Sequence, residues 1–542
     1  MNAPMDQALA MQFPASTSLT FRDRIALYLG VTFAILVLLA LRIGNPNLIT
    51  ASLWAEDGRI FIEQASRGLE SVWTAYAGYI HLYPRLVALA AKAAPLLSTP
   101  LIFNLAWLCA YLAAAWALLH YALRDTHSPL LATLLCLAFS CTPQIGETLF
   151  TLTNSQWYIG TALLLYMCHW DRKHLGLVGN LLLVVACLTG PFVLLGLPFA
   201  LYIAVVSGGR AKSRTSYAIL LIGACVQATA LALNGRPNIA APLDPNLLHW
   251  LRPFQAYFCF GKSSTLAIIL SLSFWIAGAM AIHHHWRELH QNQKHTLGVL
   301  LLLAVTCFLA GLSAAKHQPQ VLSPLGGGAR YFLVPYALSF FAIAICLPRN
   351  SRHALVVLTT FAIISYLYFS TVDRGELQWK AYARFAEQAP DISIPLAPRL
   401  QSFPGWSAYP MRTLSPGKSH DIDLTQLTLL GLQRSSTGNE LIPTETNNQV
   451  SFRLDQCKGS RYVGLLVDAE RPAAGDVQVY WGTNYGFDER HSLRRYYPAG
   501  HVVAQLAFRK SRGDDTVRLD LSEALGALRL NRVQAYCLDK AL

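Results

Sequence analysis

The sequence predicts a polytopic α-helical membrane protein with a C-terminal, all-β extracytoplasmic domain. Of its 542 residues 54% are hydrophobic and only 13% are charged, and apolar runs near the ~20 residues that span a bilayer recur along the first two thirds of the chain. Up to residue 370 the chain has 11 Asp and Glu against 22 Lys and Arg, whereas residues 371–542 have 19 against 21. This change in composition separates a membrane region from a region that resembles a soluble domain.

The membrane region, residues 25–370, is predicted to contain about 11 transmembrane helices. Residues 1–24 are expected to form a cytoplasmic tail, since Arg22 and Arg24 precede an apolar run too long for a cleaved signal segment. The basic loop 210–214, and others like it, are placed inside by the positive-inside bias. An odd number of spans then places the C-terminal domain outside. The predicted helices are 25–43, 101–123, 129–142, 156–169, 175–188, 190–206, 216–233, 264–282, 296–312, 330–347 and 353–370.

This topology leaves two long outer loops. The first, 44–100, includes the segment 84–97, in which Arg85 and Lys92 interrupt an apolar run. That pattern is typical of an interfacial amphipathic helix, so we predict no further span there. The second outer loop, 234–262, is rich in Pro, Asn and aromatic residues.

The stretch SLWAEDGRIFI in the first outer loop contains the only adjacent acidic residues among the first 370, Glu56 and Asp57. We call them the acidic pair. A carboxylate near lipid is costly unless it has a partner or lies at a water-filled site, so the pair is a candidate functional site. The alternative is a capping role, in which these carboxylates accept hydrogen bonds from free N–H groups of the following helix.

Four motifs follow one another along the membrane region: LWAEDG at 53–58, HLYPRL at 81–86, TNSQWY at 153–158 and GGARYFLVPY at 327–336. In this order and topology they resemble the GT-C superfamily of integral-membrane glycosyltransferases. The resemblance implies a GT-C-like membrane domain, a polyprenyl-phosphate sugar donor and a catalytic centre at the acidic pair. It also implies a substrate-gating role for the second outer loop, for which the alternative is an ordered interfacial helix around NLLHWLRPF at 246–254.

The chemistry of sugar transfer suits an acidic pair. Transfer to a hydroxyl passes through an oxocarbenium-like state, and a carboxylate that takes the acceptor's proton contributes ~10²–10⁴-fold. We predict Asp57 as the general base, with Glu56 orienting the acceptor or helping to hold a divalent cation such as Mg²⁺ or Mn²⁺. The two roles are interchangeable on sequence alone.

A lipid-phosphate leaving group requires cations or hydrogen-bond donors on the outer side. Arg330 opens a helix after a glycine run and resembles the superfamily's phosphate-contacting position, and the guanidinium fork binds two phosphate oxygens. Its alternative is a snorkelling interfacial arginine. For His81 the alternative is a hydrogen-bonded interfacial histidine. The predicted phosphate-binding residues are Arg330, Arg59, Arg85, His81, Lys316 and Tyr331.

Sugar recognition is predicted in the short outer loop of the TNSQWY motif. Glu147 and Asn154 suit hydrogen bonding to a sugar, and Trp157 suits stacking, although a tryptophan at a helix end is equally typical of an interfacial aromatic belt. Arg252, in the second outer loop, is also predicted to bind substrate.

Residues 421–542 predict a β-sandwich or jelly roll, because short alternating or apolar segments are separated by Gly, Asn, Asp and Pro. Cys457 and Cys537 flank predicted strands in a compartment that favours oxidation, so we predict a disulfide between them. Residues 371–420 are predicted to form an irregular connector.

Together these features predict a glycosyltransferase of a bacterial inner membrane, which transfers a hexosyl or pentosyl group from a polyprenyl phosphate. Expected partners are that donor, membrane lipids and a glycan, lipid-linked or protein acceptor, such as lipopolysaccharide, another envelope glycan or a pilin-like protein. No nucleic acid is expected. Two alternatives are a transporter or flippase of lipid-linked sugars, in which the carboxylates relay ions, and a membrane scaffold whose β domain binds glycans.

Overall fold

The computed structural model describes residues 19–45, 48–144, 147–169, 175–209, 212–235, 242–347, 351–375, 377–398, 405–410, 417–436, 440–445, 448–522, 524 and 526–539. The chain forms two compact units. The helical unit comprises Met1–Pro46, Val72–Val87 and Phe103–Asp373. The mixed unit comprises Asn47–Ser71, Ala88–Ile102 and Arg374–Leu542, so it combines part of the first predicted outer loop with the C-terminal third of the chain.

The main helices of the membrane region follow the predicted apolar segments, with two additional amphipathic helices. They are α1 (Phe21–Leu41), α2 (Leu82–Ala91), α3 (Thr99–Thr126), α4 (Pro129–Cys141), α5 (Ser155–Cys168), α6 (Leu177–Cys187), α7 (Phe192–Val206), α8 (Arg214–Asn234), α9 (Leu247–Phe258), α10 (Thr265–His285), α11 (Gln291–Ala314), α12 (Arg330–Cys346) and α13 (Ser351–Leu367). Helices α2 and α9 fall in the predicted outer loops. The other eleven correspond one by one to the predicted spans.

Five helical segments are long and apolar enough to cross a membrane by length and composition: Phe21–Leu41, Leu96–Thr126, Arg214–Asn234, Thr265–His285 and Gln291–Ala314. Six further apolar helices within the described ranges are shorter, at 10–17 residues. The chain is therefore a membrane protein with a helical N-terminal region, as predicted. The count of about 11 spans stays a prediction.

The last part of the mixed unit is built from antiparallel β-sheets. A five-stranded sheet has the order β10-β9-β12-β7-β4, and a larger sheet has the order β11-β8-β13-β6-β5 with β3 paired to β13. Trp481 of β9 stacks on Phe508 of β11, with ring centroids 4.5 Å apart, so the two sheets pack face to face. The predicted all-β fold is confirmed. Its strands are β3 (Ser419–Asp421), β4 (Thr428–Leu430), β5 (Leu432–Arg434), β6 (Glu440–Pro443), β7 (Gln449–Arg453), β8 (Tyr462–Arg471), β9 (Gly475–Gly482), β10 (Ser492–Tyr497), β11 (Gly500–Arg509), β12 (Thr516–Asp520) and β13 (Leu528–Cys537).

The segment 371–420 contains regular structure, so the prediction of an irregular connector is wrong there. Helix α14 (Trp379–Gln388) is followed by the hairpin of β1 (Ile394–Leu396) and β2 (Trp406–Ala408). Trp379, Tyr382 and Phe385 are spaced by three residues on α14 and all are buried. This one-sided apolar pattern is short and lies in a polar stretch. For that reason the sequence does not predict a helix there.

Cys457 and Cys537 form the predicted disulfide, with their Cα atoms 5.2 Å apart and a sequence separation of 80. The bond joins the turn after β7 to the end of β13. A cross-link over such a long segment restricts the unfolded chain strongly.

Replacing both cysteines, Cys457→Ser with Cys537→Ser, is expected to lower the stability of the β domain by up to about 4 kcal/mol in the chain-entropy estimate. Thermal unfolding of the purified full chain, followed through its β-sheet circular dichroism signal, measures this. The control is Cys225→Ser, which removes an exposed free thiol in α8. An unchanged unfolding midpoint in the double variant would contradict a stabilising disulfide.

Candidate active site

The acidic pair lies in the mixed unit, at the start of a π-helical turn, Asp57–Ile62. Glu56 is 9% exposed and Asp57 only 1%. The chain just before the pair is held by the β1–β2 hairpin, since the Ala55 N–H donates to the Ala397 carbonyl at 2.7 Å. The Ala397 N–H donates in turn to the Leu53 carbonyl at 2.9 Å. Two main-chain hydrogen bonds therefore fix the position of this predicted loop segment.

Glu56 has an unusual environment for a buried carboxylate. It occupies the N-cap position of the π-helical turn but makes no side-chain capping hydrogen bond. Its Oε2 atom is buried and has no hydrogen-bond partner among the residues that the structure describes. A buried acceptor without a partner is costly, and this atom is of a kind that accepts a hydrogen bond from a hydroxyl group or binds a cation. The capping alternative is wrong for Glu56.

Arg374 places a buried positive charge near Asp57. Its guanidinium carbon lies 5.4 Å from the centroid of the Trp54 ring, and the residue is 8% exposed. Burial lowers the pKa of Arg374 to about 10, while the attraction of Asp57 opposes that shift. The side chain is still charged at neutral pH. Sequence reasoning missed Arg374, because nothing in the local pattern TVDRGELQW links it to a residue in the first loop.

Gly58 allows the π-helical turn to pack closely on the hairpin. A Cβ atom at this position would lie 2.5 Å from Cδ1 of Leu396 and 3.0 Å from Cβ of Ala408. Real Cβ contacts are not that short, so any larger residue must displace the Leu396 side chain, the turn or the hairpin.

Gly58→Ala is therefore expected to cost about 1–3 kcal/mol of stability and to shift the neighbouring acidic pair. Thermal unfolding measures the loss of stability, and hydrogen–deuterium exchange of the backbone around the acidic pair measures the shift. Gly30→Ala in α1 is the matched control, since a Cβ there meets no atom within 4 Å. Equal behaviour of the two variants would contradict the steric argument.

A second group of predicted residues meets in the helical unit. The Arg330 guanidinium donates to Oε1 of Glu147, and the main-chain N–H of Ala329 donates to Oε2 at 2.8 Å. The carboxylate thus sits at the N-terminus of α12, where the helix dipole favours negative charge. The Asn154 side-chain amide donates to the Glu147 carbonyl at 2.5 Å. We call Glu147, Asn154, Trp157, Arg330 and Tyr331 the Glu147–Arg330 cluster.

The aromatic members of the cluster also touch each other. The rings of Trp157 and Tyr331 meet edge to face, with centroids 5.3 Å apart. Oδ1 of Asn154 and Nε1 of Trp157 are buried, and within the described ranges neither has a hydrogen-bond partner. One is an acceptor and the other a donor, a combination that suits the hydroxyl groups of a sugar. The structure brings together two groups that the sequence predicted separately, one for substrate binding and one for phosphate binding.

The HLYPRL motif is buried rather than exposed at an interface. His81 is 2% exposed, and its Nδ1 lies 3.0 Å from the Tyr79 carbonyl. Burial lowers the pKa of His81 to about 4, so the ring is neutral at neutral pH. Arg85 is buried as well and donates to the Thr74 carbonyl at 3.0 Å. The hydrogen-bonded state predicted as the alternative for His81 is observed, and the phosphate contacts of both residues stay predictions.

The three remaining candidates have other contacts, although Arg59 belongs to the same π-helical turn as Asp57. The Arg59 guanidinium carbon lies 5.7 Å from the Trp406 ring centroid, and the side chain is exposed. Arg252 is exposed on α9. Lys316 follows α11, is half-buried, and its carbonyl accepts a hydrogen bond from the Asp244 N–H at 3.0 Å. Their roles in phosphate or substrate binding stay predictions.

The described residues offer few protein ligands for a bound metal ion. Across the described part of the chain, no group of three or more His, Cys, Asp or Glu residues is arranged to hold a metal ion. Mg²⁺, however, is commonly bound by one or two carboxylates together with substrate phosphates. The acidic pair, with the unpartnered Oε2 atom of Glu56, fits that pattern.

Known proteins resemble this chain only distantly. No family model and no curated protein matches the sequence. Among solved structures, the crystal structure of ArnT from Cupriavidus metallidurans bound to undecaprenyl phosphate matches with a TM-score of 0.38 and 14% sequence identity. The match covers 67% of this chain and 69% of that chain. A likeness of this degree decides nothing about the reaction, so the function rests on the residues of this chain.

Proposed function

We propose that this chain is a membrane glycosyltransferase that moves a sugar from a polyprenyl phosphate to an acceptor on the outer side of a bacterial inner membrane. The main support is the acidic pair, in which a buried carboxylate with an unpartnered oxygen, on Glu56, directly precedes a second buried acid, Asp57. The GT-C-like order of the four motifs along a helical membrane region, followed by a β domain, supports the same proposal.

Glu56 and Asp57 have different neighbours, so we assign them different roles. Arg374 places a positive charge near Asp57, so Asp57 is the acid that offsets this buried cation. Glu56 keeps an oxygen that can accept the hydrogen bond of an incoming hydroxyl. We therefore assign proton acceptance to Glu56, with Asp57 holding Arg374 and Trp54 in place beside it. This exchanges the roles that the sequence favours.

In the proposed step, the acceptor oxygen forms the new bond to the anomeric carbon and the bond from that carbon to the phosphate oxygen breaks. The acceptor's proton passes to Glu56, and the polyprenyl phosphate leaves with the electron pair of the broken bond. A Mg²⁺ or Mn²⁺ ion held by the acidic pair and the donor phosphate would neutralise charge on the leaving group. The Glu147–Arg330 cluster, with its unpartnered amide oxygen and indole N–H, is proposed to bind sugar hydroxyls.

The test is a deletion strain of the host, with mass spectrometry of its lipopolysaccharide, other envelope glycans and surface proteins. We expect one sugar to be missing from one of these acceptors and to return with the wild-type gene. The double variant Glu56→Gln with Asp57→Asn, checked for insertion into the membrane, should not restore it. Full restoration by that variant would reject the enzymatic assignment and favour the transporter or scaffold alternatives.

A further inference from the structure

A groove of about 490 Å³ lies in the helical unit, away from the residues discussed so far in sequence and structure. It opens between the last turn of α10, the turn that follows it, and the facing side of α11. Its lining residues are Ala279, Ile282, His283, Trp286, Arg287 and Leu301.

The groove is apolar at one end and basic at the other. Ala279, Ile282 and Leu301 supply hydrocarbon surface, whereas His283 and Arg287 are exposed at the rim. Trp286, also at the rim, is 40% exposed, and its indole combines a large apolar ring with one N–H donor. An elongated ligand with one charged end matches this arrangement.

Further charges near the rim are mostly positive. The ammonium group of Lys294 donates to the main-chain carbonyl of Arg287 at 3.3 Å, which places a second fixed cation beside the first. The acid in the connecting turn, Glu288, accepts a hydrogen bond from Nδ1 of His285 at 2.8 Å, so one acid stands against the two cations Arg287 and Lys294. The rim therefore favours an anion.

The depth of the groove matches the boundary between hydrocarbon and headgroups. Helix α10 has 21 residues, which at ~1.5 Å per residue extend over roughly the ~30 Å of a bilayer's hydrocarbon core. Its last turn, with His283, thus lies at headgroup level. Ala279 lies one turn deeper, where acyl chains begin.

We propose that this groove binds a glycerophospholipid with an anionic headgroup. The phosphate lies against Arg287 and His283, the glycerol region against Trp286, and one acyl chain along Ile282 and Leu301. A zwitterionic lipid fits less well, because its ammonium group would face the cations of Arg287 and Lys294. The site is independent of the proposed sugar transfer, so either proposal can fail alone.

The test uses the full chain, purified and delipidated in detergent, and native mass spectrometry with phosphatidylglycerol or with phosphatidylcholine of the same acyl chains. We expect phosphatidylglycerol to bind more tightly. Arg287→Gln should weaken its binding about fivefold, the typical effect of one cation at a membrane surface. The matched control is Arg214→Gln, an exposed arginine at the first residue of another long apolar helix, α8, which should change the affinity less than twofold.

A second variant, Leu301→Trp, fills the apolar end while leaving Arg287 intact, and it should also reduce phosphatidylglycerol binding. Gel filtration checks that each variant stays folded. The proposal is overturned by equal binding of the two lipids, by equal effects of the two arginine substitutions, or by unchanged binding in Leu301→Trp. A larger loss of polyprenyl-phosphate binding than of phosphatidylglycerol binding in Arg287→Gln would also overturn it, since the groove would then belong to a different lipid.

Discussion

Glu56→Gln is expected to lower the rate of sugar transfer by about 10²–10⁴-fold, the usual contribution of a general base, while leaving the protein at least as stable as the wild type. The amide keeps the size of the side chain but cannot take a proton. It also removes a buried charge whose Oε2 atom has no partner in the described structure, so no stabilising contact of that atom is lost. Initial rates in membranes carrying donor and acceptor, together with thermal unfolding of the purified protein, measure both quantities.

Asp57→Asn should behave differently. It removes a negative charge that attracts the buried Arg374, and removing one charge from a buried pair of opposite charges is destabilising. The variant should therefore lose stability, and adding Arg374→Gln should recover part of it. Glu63→Gln is the control, because Glu63 belongs to the following helical turn and accepts a hydrogen bond from the Tyr409 N–H at 2.8 Å. If Glu56→Gln retained full activity while a folded Asp57→Asn lost it, the roles assigned here would have to be exchanged.

Arg330→Gln and Glu147→Gln are each expected to destabilise the helical unit by about 1.5–3 kcal/mol, the usual range for hydrogen bonds to charged groups. The two side chains are hydrogen-bonded to each other. The Glu147 carboxylate also accepts a hydrogen bond from the main-chain N–H of Ala329, at the start of α12. Because the substitutions remove the same interaction, the double variant should be less destabilised than the sum of the single variants. A double-mutant cycle of unfolding free energies measures this coupling.

The same variants distinguish between two roles of Arg330, positioning the loop around Glu147 and binding the donor phosphate. If it mainly positions the loop around Glu147, both single substitutions should weaken substrate binding to a similar extent. If it binds the donor phosphate, Arg330→Gln should reduce polyprenyl-phosphate affinity far more than Glu147→Gln does. Arg330→Lys keeps the charge but not the two-pronged geometry, so it serves as the conservative control.

Hydropathy was sufficient to predict the helices of the membrane region. A long apolar run has few alternatives to a helix in lipid, so segments such as α8 and α11 lie within a few residues of their predicted bounds. The disulfide was predictable because Cys457 and Cys537 are the only cysteines of the β domain. Helix α14 was missed since its apolar face is only ten residues long and is surrounded by polar residues.

Candidate residues were easier to predict than their partners. Scarcity of acids identified Glu56, Asp57 and Glu147, because a charge close to lipid is unusual in any context. The attraction between Asp57 and Arg374, and the bond between Glu147 and Arg330, depend on how distant segments pack. Local periodicity in the sequence does not encode such contacts. The partner of each arginine is therefore identified only from the three-dimensional structure.

The hydrogen bonds between Leu53–Ala55 and Ala397 have a consequence for engineering. The segment that carries the acidic pair folds with the polypeptide that follows the last membrane helix, although the two are separated by most of the chain. Exchanging only the C-terminal third between related proteins would leave the acidic pair packed against a hairpin of different sequence. A functional chimera should therefore take Asn47–Ser71, Ala88–Ile102 and Arg374–Leu542 from one parent.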